Sequence, residues 1–242
     1  MLMDITKLTK PARKLLPLKK TGAVIVAAGN ASRMGGIDKV MASLKGEPMI
    51  ARTVRTFQNC DAVSEIVIVT REDLILPITA LCRDYDKVKA VVRGGSSRQE
   101  SVGLGLNALS DKIKLAAIHD GARPLITWQV IDRAIRAANT YGAAAPAIPV
   151  KDTIKVVNGG VVKNTPDRAT LFAVQTPQVF DFDLLRGALK HAETTGAQVT
   201  DDCSAVELMG MSVKIVEGDE RNIKVTTPMD LKIAEMLLEE EK

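Results

Sequence analysis

The apolar residues of this chain form short runs that alternate with segments of helical periodicity. The runs at residues 23–28, 65–70, 89–95 and 114–120 are nearly all apolar inside and end at or beside Thr, Gly or Asp. Between them, as in residues 127–138, apolar residues recur at the spacing of an α-helix. Strands that are covered on both faces have this continuous apolar character, and their alternation with helices predicts βαβ units.

We therefore predict an α/β fold with a mainly parallel open sheet and helices on both of its faces. Ligands of such sheets bind beyond the carboxyl ends of the strands. Gly29, Gly94–Gly95 and Asp120 all fall at those ends in the sequence. The ligand site is expected there.

One segment breaks the alternation. Between residues 147 and 168, two alternating stretches flank Asn158-Gly159-Gly160, which is a strong β-hairpin signal. Such a β-arm has too few apolar residues for a core of its own, so it must pack on the rest of the chain or on a second subunit. We find no internal repeat and no linker, and predict one domain at residues 21–242 with the β-arm at about residues 149–172.

The net charge of +4 is concentrated at the N-terminus. The first 20 residues carry six basic residues against Asp4, which leaves the other 222 residues at −1. We predict a disordered basic leader at residues 1–20; the alternative is a weak surface-binding helix, which Pro11 and Pro17 would interrupt. The balance of the remainder and the 3% aromatic content argue against nucleic-acid binding. No apolar run approaches the roughly 18 residues that span a bilayer, so stable membrane association is not expected.

The cysteines indicate a reducing compartment. Cys60, Cys82 and Cys203 are an odd number without a C-x-x-C pair, and no secretory signal precedes them. We therefore expect a cytoplasmic location. Cys203 is interpreted as a small buried residue rather than a reactive thiol.

The loop after the first apolar run has the composition of an anion site. Gly29 and the small residues that follow leave backbone N–H groups accessible, and Arg33 and Lys39 add positive charge. A phosphate chain is the predicted ligand; the alternative is a surface turn with two solvated cations. The loop lacks the second glycine of a dinucleotide-binding turn and the Gly-Lys pair of a Walker A loop.

Seven motifs in order give a more specific indication: A-A-G-N-A-S-R-M, G-G-S-S-R-Q-E-S-V, H-D-G-A-R-P, P-V-K-D-T-I-K, Q-T-P-Q, T-D-D and N-I-K-V-T-T-P. From about Gly22 to its end the chain resembles the 2-C-methyl-D-erythritol 4-phosphate cytidylyltransferase family. The resemblance implies a Rossmann-like fold of the nucleotidyltransferase type. It also implies that CTP and methylerythritol phosphate are converted to CDP-methylerythritol and pyrophosphate, with Mg²⁺ or another divalent cation as cofactor, on the non-mevalonate route to isoprenoids.

The same resemblance assigns residues to the nucleotide. Arg33, Lys39 and Lys224 would be the catalytic cations on the triphosphate. Asp120 would lie near the ribose and a metal ion that the CTP phosphates mainly hold; its alternative role is a turn cap. Family members often have Asp where this chain has Ser96. The nucleotide-binding set is Ala27, Ala28, Gly29, Gly95, Ser96, Ser101, Asp120 and Gly121.

The acceptor contacts that the resemblance implies are Arg123, Thr153, Arg168 and Thr176. Thr153 and Arg168 lie on the β-arm and would reach the site of a neighbouring subunit, which predicts a homodimer with composite sites. The alternative is an arm folded back onto its own domain, with Arg168 in a surface ion pair.

The chemistry agrees with the scarcity of histidine. The attacking phosphate monoester has a second pKa of about 6, so it is already a dianion and needs no general base. His119 is accordingly interpreted as structural. Two other functions remain open at this point: a ribitol 5-phosphate cytidylyltransferase and a non-catalytic nucleotide-binding subunit.

Overall fold

The computed structural model describes residues 17–29 and 39–239. Twelve strands lie in these ranges: β1 (Thr21–Ala27), β2 (Ser43–Leu44), β3 (Glu47–Pro48), β4 (Glu65–Thr70), β5 (Val88–Arg93), β6 (Leu115–Asp120), β7 (Ala143–Pro149), β8 (Val156–Asn158), β9 (Val161–Asn164), β10 (Phe172–Val174), β11 (Gln178–Asp181) and β12 (Lys214–Glu217). The α-helices are α1 (Met49–Gln58), α2 (Ile75–Leu81), α3 (Arg98–Asn107), α4 (Trp128–Tyr141), α5 (Phe182–Thr195), α6 (Asp202–Leu208) and α7 (Pro228–Glu239). None of these helices is long and apolar enough to cross a membrane.

The central sheet has eight strands in the order β10-β7-β11-β6-β1-β4-β5, with β12 added beside β7. Strands β6, β1, β4 and β5 are parallel neighbours, and their register places Val24 of β1 between Ile118 and Val67. Strand β11 runs antiparallel to β6, and β10 runs antiparallel to β7. The mainly parallel α/β fold is therefore confirmed, and four carboxyl ends meet at one edge.

Helices cover both faces of this sheet because successive strand residues point to opposite sides. On β1, Ile25 packs in the core that contains Phe57 of α1 and Ile131 of α4. Its neighbour Val24 packs in the other core, with Leu106 of α3. Each large apolar side chain that is fully buried in these cores contributes about 1.5–3 kcal/mol to folding. The two cores fix the sheet edge at which the site is built.

Helix α4 ends at a glycine in the left-handed conformation. The apolar residues that predict the helix are all buried, and Gly142 follows with φ 84°, the left-handed backbone that glycine tolerates. Its N–H donates to the carbonyl of Ala138 at 2.8 Å. This reversal leads directly into β7.

The predicted hairpin is present as β8 and β9, which pair antiparallel around Gly159 and Gly160, both at positive φ. All seven strand residues are exposed. Within the described residues neither strand pairs with any strand outside this hairpin. That this β-arm clasps a second subunit stays a prediction.

The predicted leader lies mostly outside the described residues, which begin at Pro17. Lys19 is within them, and its Nζ lies 3.0 Å from a carboxylate oxygen of Asp181. Its backbone N–H donates to the side chain of Asn139 at 3.1 Å. Lys19 therefore contacts the body of the protein just before β1 begins.

Candidate active site

A cavity of about 480 Å³ opens at the carboxyl ends of β1, β4, β5 and β6. It is lined by seven residues of the predicted nucleotide-binding set and by one of the three predicted catalytic cations. Gly121 directly follows the lining residue Asp120, and its N–H donates to the carbonyl of Val26 at 2.9 Å. The lining residues among the predictions are Ala27, Ala28, Gly29, Gly95, Ser96, Ser101, Asp120 and Lys224.

The turn between β5 and α3 forms one wall of the cavity. Ser97 caps α3 by accepting the N–H of Glu100 at 3.0 Å. Ser101 is buried, and its hydroxyl accepts the N–H of Gly95 at 3.1 Å while donating to the carbonyl of Ser97 at 2.8 Å. The Ser101 hydroxyl thus holds the shape of the turn.

Glycine is required at position 94 of this turn. A Cβ there would lie 2.4 Å from the Cβ of Ala28. Only a residue without a side chain lets the turn approach the end of β1 so closely. The two backbone segments that line the cavity are held together in this way.

Ser96, which stands where members of the resembled family often have Asp, contacts Glu100 of the same turn. Its N–H and its hydroxyl both donate to the same oxygen of Glu100 at 2.7 Å. These two hydrogen bonds lower the pKa of Glu100. The departure at position 96 is therefore accompanied by a carboxylate four residues later that fixes the turn.

Asp120 is surrounded by three cations. The Nζ of Lys224 lies 2.8 Å from Oδ2, the Nε of Arg98 lies 3.6 Å from Oδ1, and the Nε of Arg123 lies 3.7 Å from Oδ2. Asp120 is only 8% exposed. Burial alone would raise its pKa, but Lys224, Arg98 and Arg123 outweigh burial and lower the pKa to about 2. The carboxylate is ionised at neutral pH.

A buried hydrogen-bond chain supports Asp120 from behind. The hydroxyl of Thr176 accepts the N–H of Asp120 at 3.1 Å and lies 3.0 Å from Nδ1 of His119. Nε2 of His119 donates to the carbonyl of Arg123 at 3.3 Å, so Nδ1 of the neutral ring accepts the hydroxyl proton of Thr176. Burial lowers the pKa of His119 to about 3, so the imidazole is neutral. Thr176 is 4% exposed and does not line the cavity.

Arg123 lies beside the same chain. Its Nη1 donates to the carbonyl of Asn222 at 2.7 Å, and its Nε is buried without a hydrogen-bond partner among the described residues. Burial lowers the pKa of this guanidinium. Arg123 lies close to Asp120, but it is not among the residues that line the cavity.

The remaining predicted residues are not brought into this cavity by the described structure. Thr153 and Arg168 are exposed, and Nη1 of Arg168 donates to the carbonyl of Lys151 at 2.9 Å. Arg33 lies outside the described residues, and the side chain of Lys39 is likewise not described. The next residue, Val40, is buried and lines the cavity.

The structure adds residues that the sequence did not single out. Arg98 lines the cavity, and its Nη2 donates to Asp202 at 2.8 Å. The side chain of Gln178 accepts the N–H groups of Asp202 and Cys203, each at 3.0 Å. Arg98, Gln178 and Asp202 lie inside the motifs G-G-S-S-R-Q-E-S, Q-T-P-Q and T-D-D, so the motifs themselves were the available signal.

Known proteins resemble this chain over most of its length. The family model IspD, 2-C-methyl-D-erythritol 4-phosphate cytidylyltransferase, matches residues 21–240. A relative with that name from Symbiobacterium thermophilum is 46% identical over 220 residues, which cover 90% of this chain and 92% of the relative. Another from Alkaliphilus oremlandii is 41% identical over 226 residues, covering 91% and 96%.

Solved structures carry the same names. The 4-diphosphocytidyl-2C-methyl-D-erythritol synthase of Anaerococcus prevotii matches with a TM-score of 0.84 and 30% identity, over 91% of this chain and 96% of that one. The 2-C-methyl-D-erythritol 4-phosphate cytidylyltransferase of Thermus thermophilus matches with a TM-score of 0.75 and 30% identity, over 89% and 98%. The chain belongs to the 2-C-methyl-D-erythritol 4-phosphate cytidylyltransferase family.

Proposed function

We propose that this chain transfers the cytidylyl group of CTP to 2-C-methyl-D-erythritol 4-phosphate, giving CDP-methylerythritol and pyrophosphate. One observation carries the proposal: the family match extends over residues 21–240, and the predicted nucleotide residues of that family line one cavity. The product would enter the non-mevalonate synthesis of isoprenoid precursors. None of the relatives and structures named above is a ribitol phosphate enzyme, so a ribitol 5-phosphate cytidylyltransferase is not favoured.

The reaction is an in-line displacement at the α-phosphorus of CTP. A phosphate oxygen of the acceptor forms the new P–O bond, while the bond from the α-phosphorus to the bridging oxygen breaks and its electrons leave with pyrophosphate. The acceptor is already a dianion at neutral pH, so no residue has to remove a proton. The neutral, buried state of His119 is compatible with a site that needs no histidine base.

Cations are what this displacement requires, because a dianion must approach a highly charged nucleotide. Lys224 reaches the cavity from the segment after β12, and 43% of its side chain is exposed. We assign it to the α-phosphate. We assign Arg33 and Lys39, the cations of the loop after β1, to the triphosphate, where guanidinium and ammonium groups would stabilise charge on the leaving pyrophosphate.

The base and ribose would lie deeper in the cavity. The N–H groups of Gly95 and Ser96 donate to Ser101 and Glu100 within the turn, so these residues would offer their backbone carbonyls to the cytosine edge. Ser101 keeps the turn in place. Asp120 is the last residue of β6 and lines the cavity. We assign it to the ribose and to the metal ion.

The donor set fits Mg²⁺. Within the described ranges no three His, Cys, Asp or Glu side chains form a metal-binding group, and Asp120 is the one predicted ligand. Mg²⁺ in nucleotide sites typically uses one or two carboxylates together with substrate phosphates and waters. When bound, the ion would neutralise charge on the phosphates, which mainly hold it.

The β-arm would complete the site of a second subunit. Thr153 and Arg168 do not line the cavity of their own chain, and the arm exposes Val157, Val161 and Val162 by more than half of their surface. Pairing with a second copy would cover these side chains and bring Arg168 to the acceptor phosphate. Arg123 and Thr176 would complete the acceptor site from the other side of Asp120. We propose a homodimer on these grounds.

A cytoplasmic location is proposed from the cysteines. Cys60, Cys82 and Cys203 are all free and buried. Burial raises the pKa of each thiol, for Cys82 to about 11, so these cysteines are not activated nucleophiles. A chain of this kind is suited to a reducing compartment.

The experiment that tests the function is pyrophosphate release by the purified protein with Mg²⁺ and CTP. Methylerythritol phosphate and ribitol 5-phosphate are compared as acceptors, with ATP, GTP and UTP as alternative donors. Of these combinations, only CTP with methylerythritol phosphate is expected to release pyrophosphate. Release only with ribitol 5-phosphate would assign a different acceptor, and release with neither acceptor would refute a transferase function.

A further inference from the structure

A guanidinium joins two carboxylates at the inner wall of the cavity. Nη2 of Arg98 donates to Oδ2 of Asp202 at 2.8 Å, and its Nε lies 3.6 Å from Oδ1 of Asp120. The side chain of Asp202 is 2% exposed and that of Arg98 is 32% exposed. The proposed function assigns no role to Arg98 or Asp202, although Arg98 lines the cavity.

Asp202 is itself held firmly. It is the first residue of α6, and its backbone N–H donates to the side chain of Gln178 at 3.0 Å. The adjacent Asp201 caps the same helix by accepting the N–H of Ser204 at 2.9 Å, and it accepts the Gln178 amide at 2.8 Å. The carboxylate that receives Arg98 therefore stands on a fixed support.

This support distinguishes Arg98 from Lys224, which is the most exposed of the three cations on Asp120. Lys224 meets Asp120 with 43% of its side chain exposed, so it can exchange the carboxylate for a phosphate. Arg98 cannot do so without leaving the buried Asp202 charge unpaired, which is costly. When Lys224 moves to the nucleotide, Asp120 keeps the Arg98 guanidinium beside Oδ1 and the Arg123 guanidinium 3.7 Å from Oδ2.

We propose that Arg98 and Asp202 form a positioning pair for nucleotide binding: Asp202 holds the Arg98 guanidinium beside Oδ1 of Asp120, so that Asp120 keeps its orientation after Lys224 has moved to the substrate. Arg98 is also the first residue of α3. The pair therefore ties the base-binding turn Gly94–Ser97 to the same support as Asp120. This inference rests on the proposed function only for the identity of the nucleotide.

The test compares Arg98→Met, Asp202→Asn and the double variant. CTP affinity is measured by calorimetry with Mg²⁺ and without acceptor, and KM is measured for CTP and for the acceptor. Each single variant is expected to bind CTP about tenfold more weakly, the usual effect of losing a partner that orients a ligating side chain. The double variant is expected to bind CTP no more weakly than either single variant, because both residues act through the same Arg98–Asp202 hydrogen bond. The acceptor KM is expected to stay unchanged.

Glu207→Gln is the matched control. It removes one charge from the same helix at an exposed position, and it leaves the Arg98–Asp202 bond and the contacts of Gln178 in place. It is expected to bind CTP within about twofold of wild type, the usual range for an exposed substitution away from the site. Equal weakening in this control would overturn the proposal, because it would show a general loosening of α6.

The proposal can be tested even if one of the single variants fails to fold. The double variant leaves neither charge of the pair unpaired, which buried sites tolerate far better than loss of one partner. Wild-type CTP affinity in the folded double variant would overturn the proposal even if the single variants fail to fold. A wild-type protein that binds CTP but releases no pyrophosphate would refute the proposed function and would leave this comparison of affinities intact.

Discussion

The Nζ of Lys224 lies 2.8 Å from Oδ2 of Asp120, and this ion pair joins the end of β6 to the segment that follows β12. The two partners are unequally placed, since 43% of the Lys224 side chain is exposed but only 11% of the Asp120 side chain. The Lys224 ammonium is therefore held at the wall of the cavity by Asp120. It can move to a phosphate while Asp120 remains.

Loss of the Lys224 charge should therefore act mainly on catalysis. Lys224→Gln is expected to lower kcat by about 10² or more, because one cation at a developing charge is worth roughly 3 kcal/mol. The measurement is steady-state pyrophosphate release with CTP and methylerythritol phosphate. Lys214→Gln is the control, since the Lys214 ammonium lies over the ring of Tyr141 at 5.6 Å and does not line the cavity. Undiminished turnover in Lys224→Gln would remove Lys224 from the mechanism.

The loop cations lead to a second prediction. Arg33→Ala and Lys39→Ala are each expected to lower kcat by about 10² or more, if each stabilises the leaving pyrophosphate. Arg33→Lys should recover less than Lys39→Arg, because only guanidinium binds phosphate oxygens as a planar fork. Single-turnover rates separate this chemical step from product release. Near-normal rates in both alanine variants would contradict the assignment of the loop to the triphosphate.

The buried imidazole predicts a pH dependence of stability. Burial lowers the pKa of His119 to about 3 from an ordinary value of 6.5. Below pH 6.5 the unfolded chain takes up a proton that the folded protein does not, so stability falls as the pH drops from 6.5 towards 3. This contribution has a slope of up to about 1.4 kcal/mol per pH unit.

His119→Gln should flatten that slope, although it lowers stability at neutral pH by disturbing the contacts with Thr176 and Arg123. The free energy of unfolding is measured by urea titration at pH 7, 6 and 5. His191→Gln is the control, because His191 is exposed on α5. If wild type and His119→Gln lose stability in parallel as the pH falls, His119 is not held neutral.

The sequence alone predicts the parallel half of the sheet and not the antiparallel additions. Strands β1, β4, β5 and β6 are short apolar runs with helices between them, and this apolar pattern is enough to predict them. Strand β7 has the sequence A-A-A-P-A-I-P, whose small residues and prolines carry no strand period. It forms because β11, β10 and β12 pair with it, and such pairing across distant parts of the chain is not written in local periodicity.

The site divides in the same way. Gly29, Gly95 and Asp120 could be placed from their position after apolar runs, since the ends of parallel strands meet at one edge. The bond from Arg98 to Asp202 could not, because 104 residues separate its partners. Thr176 was assigned to the acceptor from the family resemblance, and only the structure shows that its hydroxyl contacts Asp120 and His119.

The β-arm predicts that each site is shared between two subunits, and mixing variants tests this. Arg168→Ala and Lys224→Ala are each expected to be inactive, but their mixture should recover about a quarter of wild-type activity. Half of the dimers would be mixed after random exchange, and one of the two sites in each would keep both residues. A mixture of Arg168→Ala and Thr153→Ala is the control: both changes lie on the arm, so every site in a mixed dimer keeps one defect. No recovery in the first mixture, with subunit exchange confirmed by differently tagged chains, would show that the arm serves its own chain.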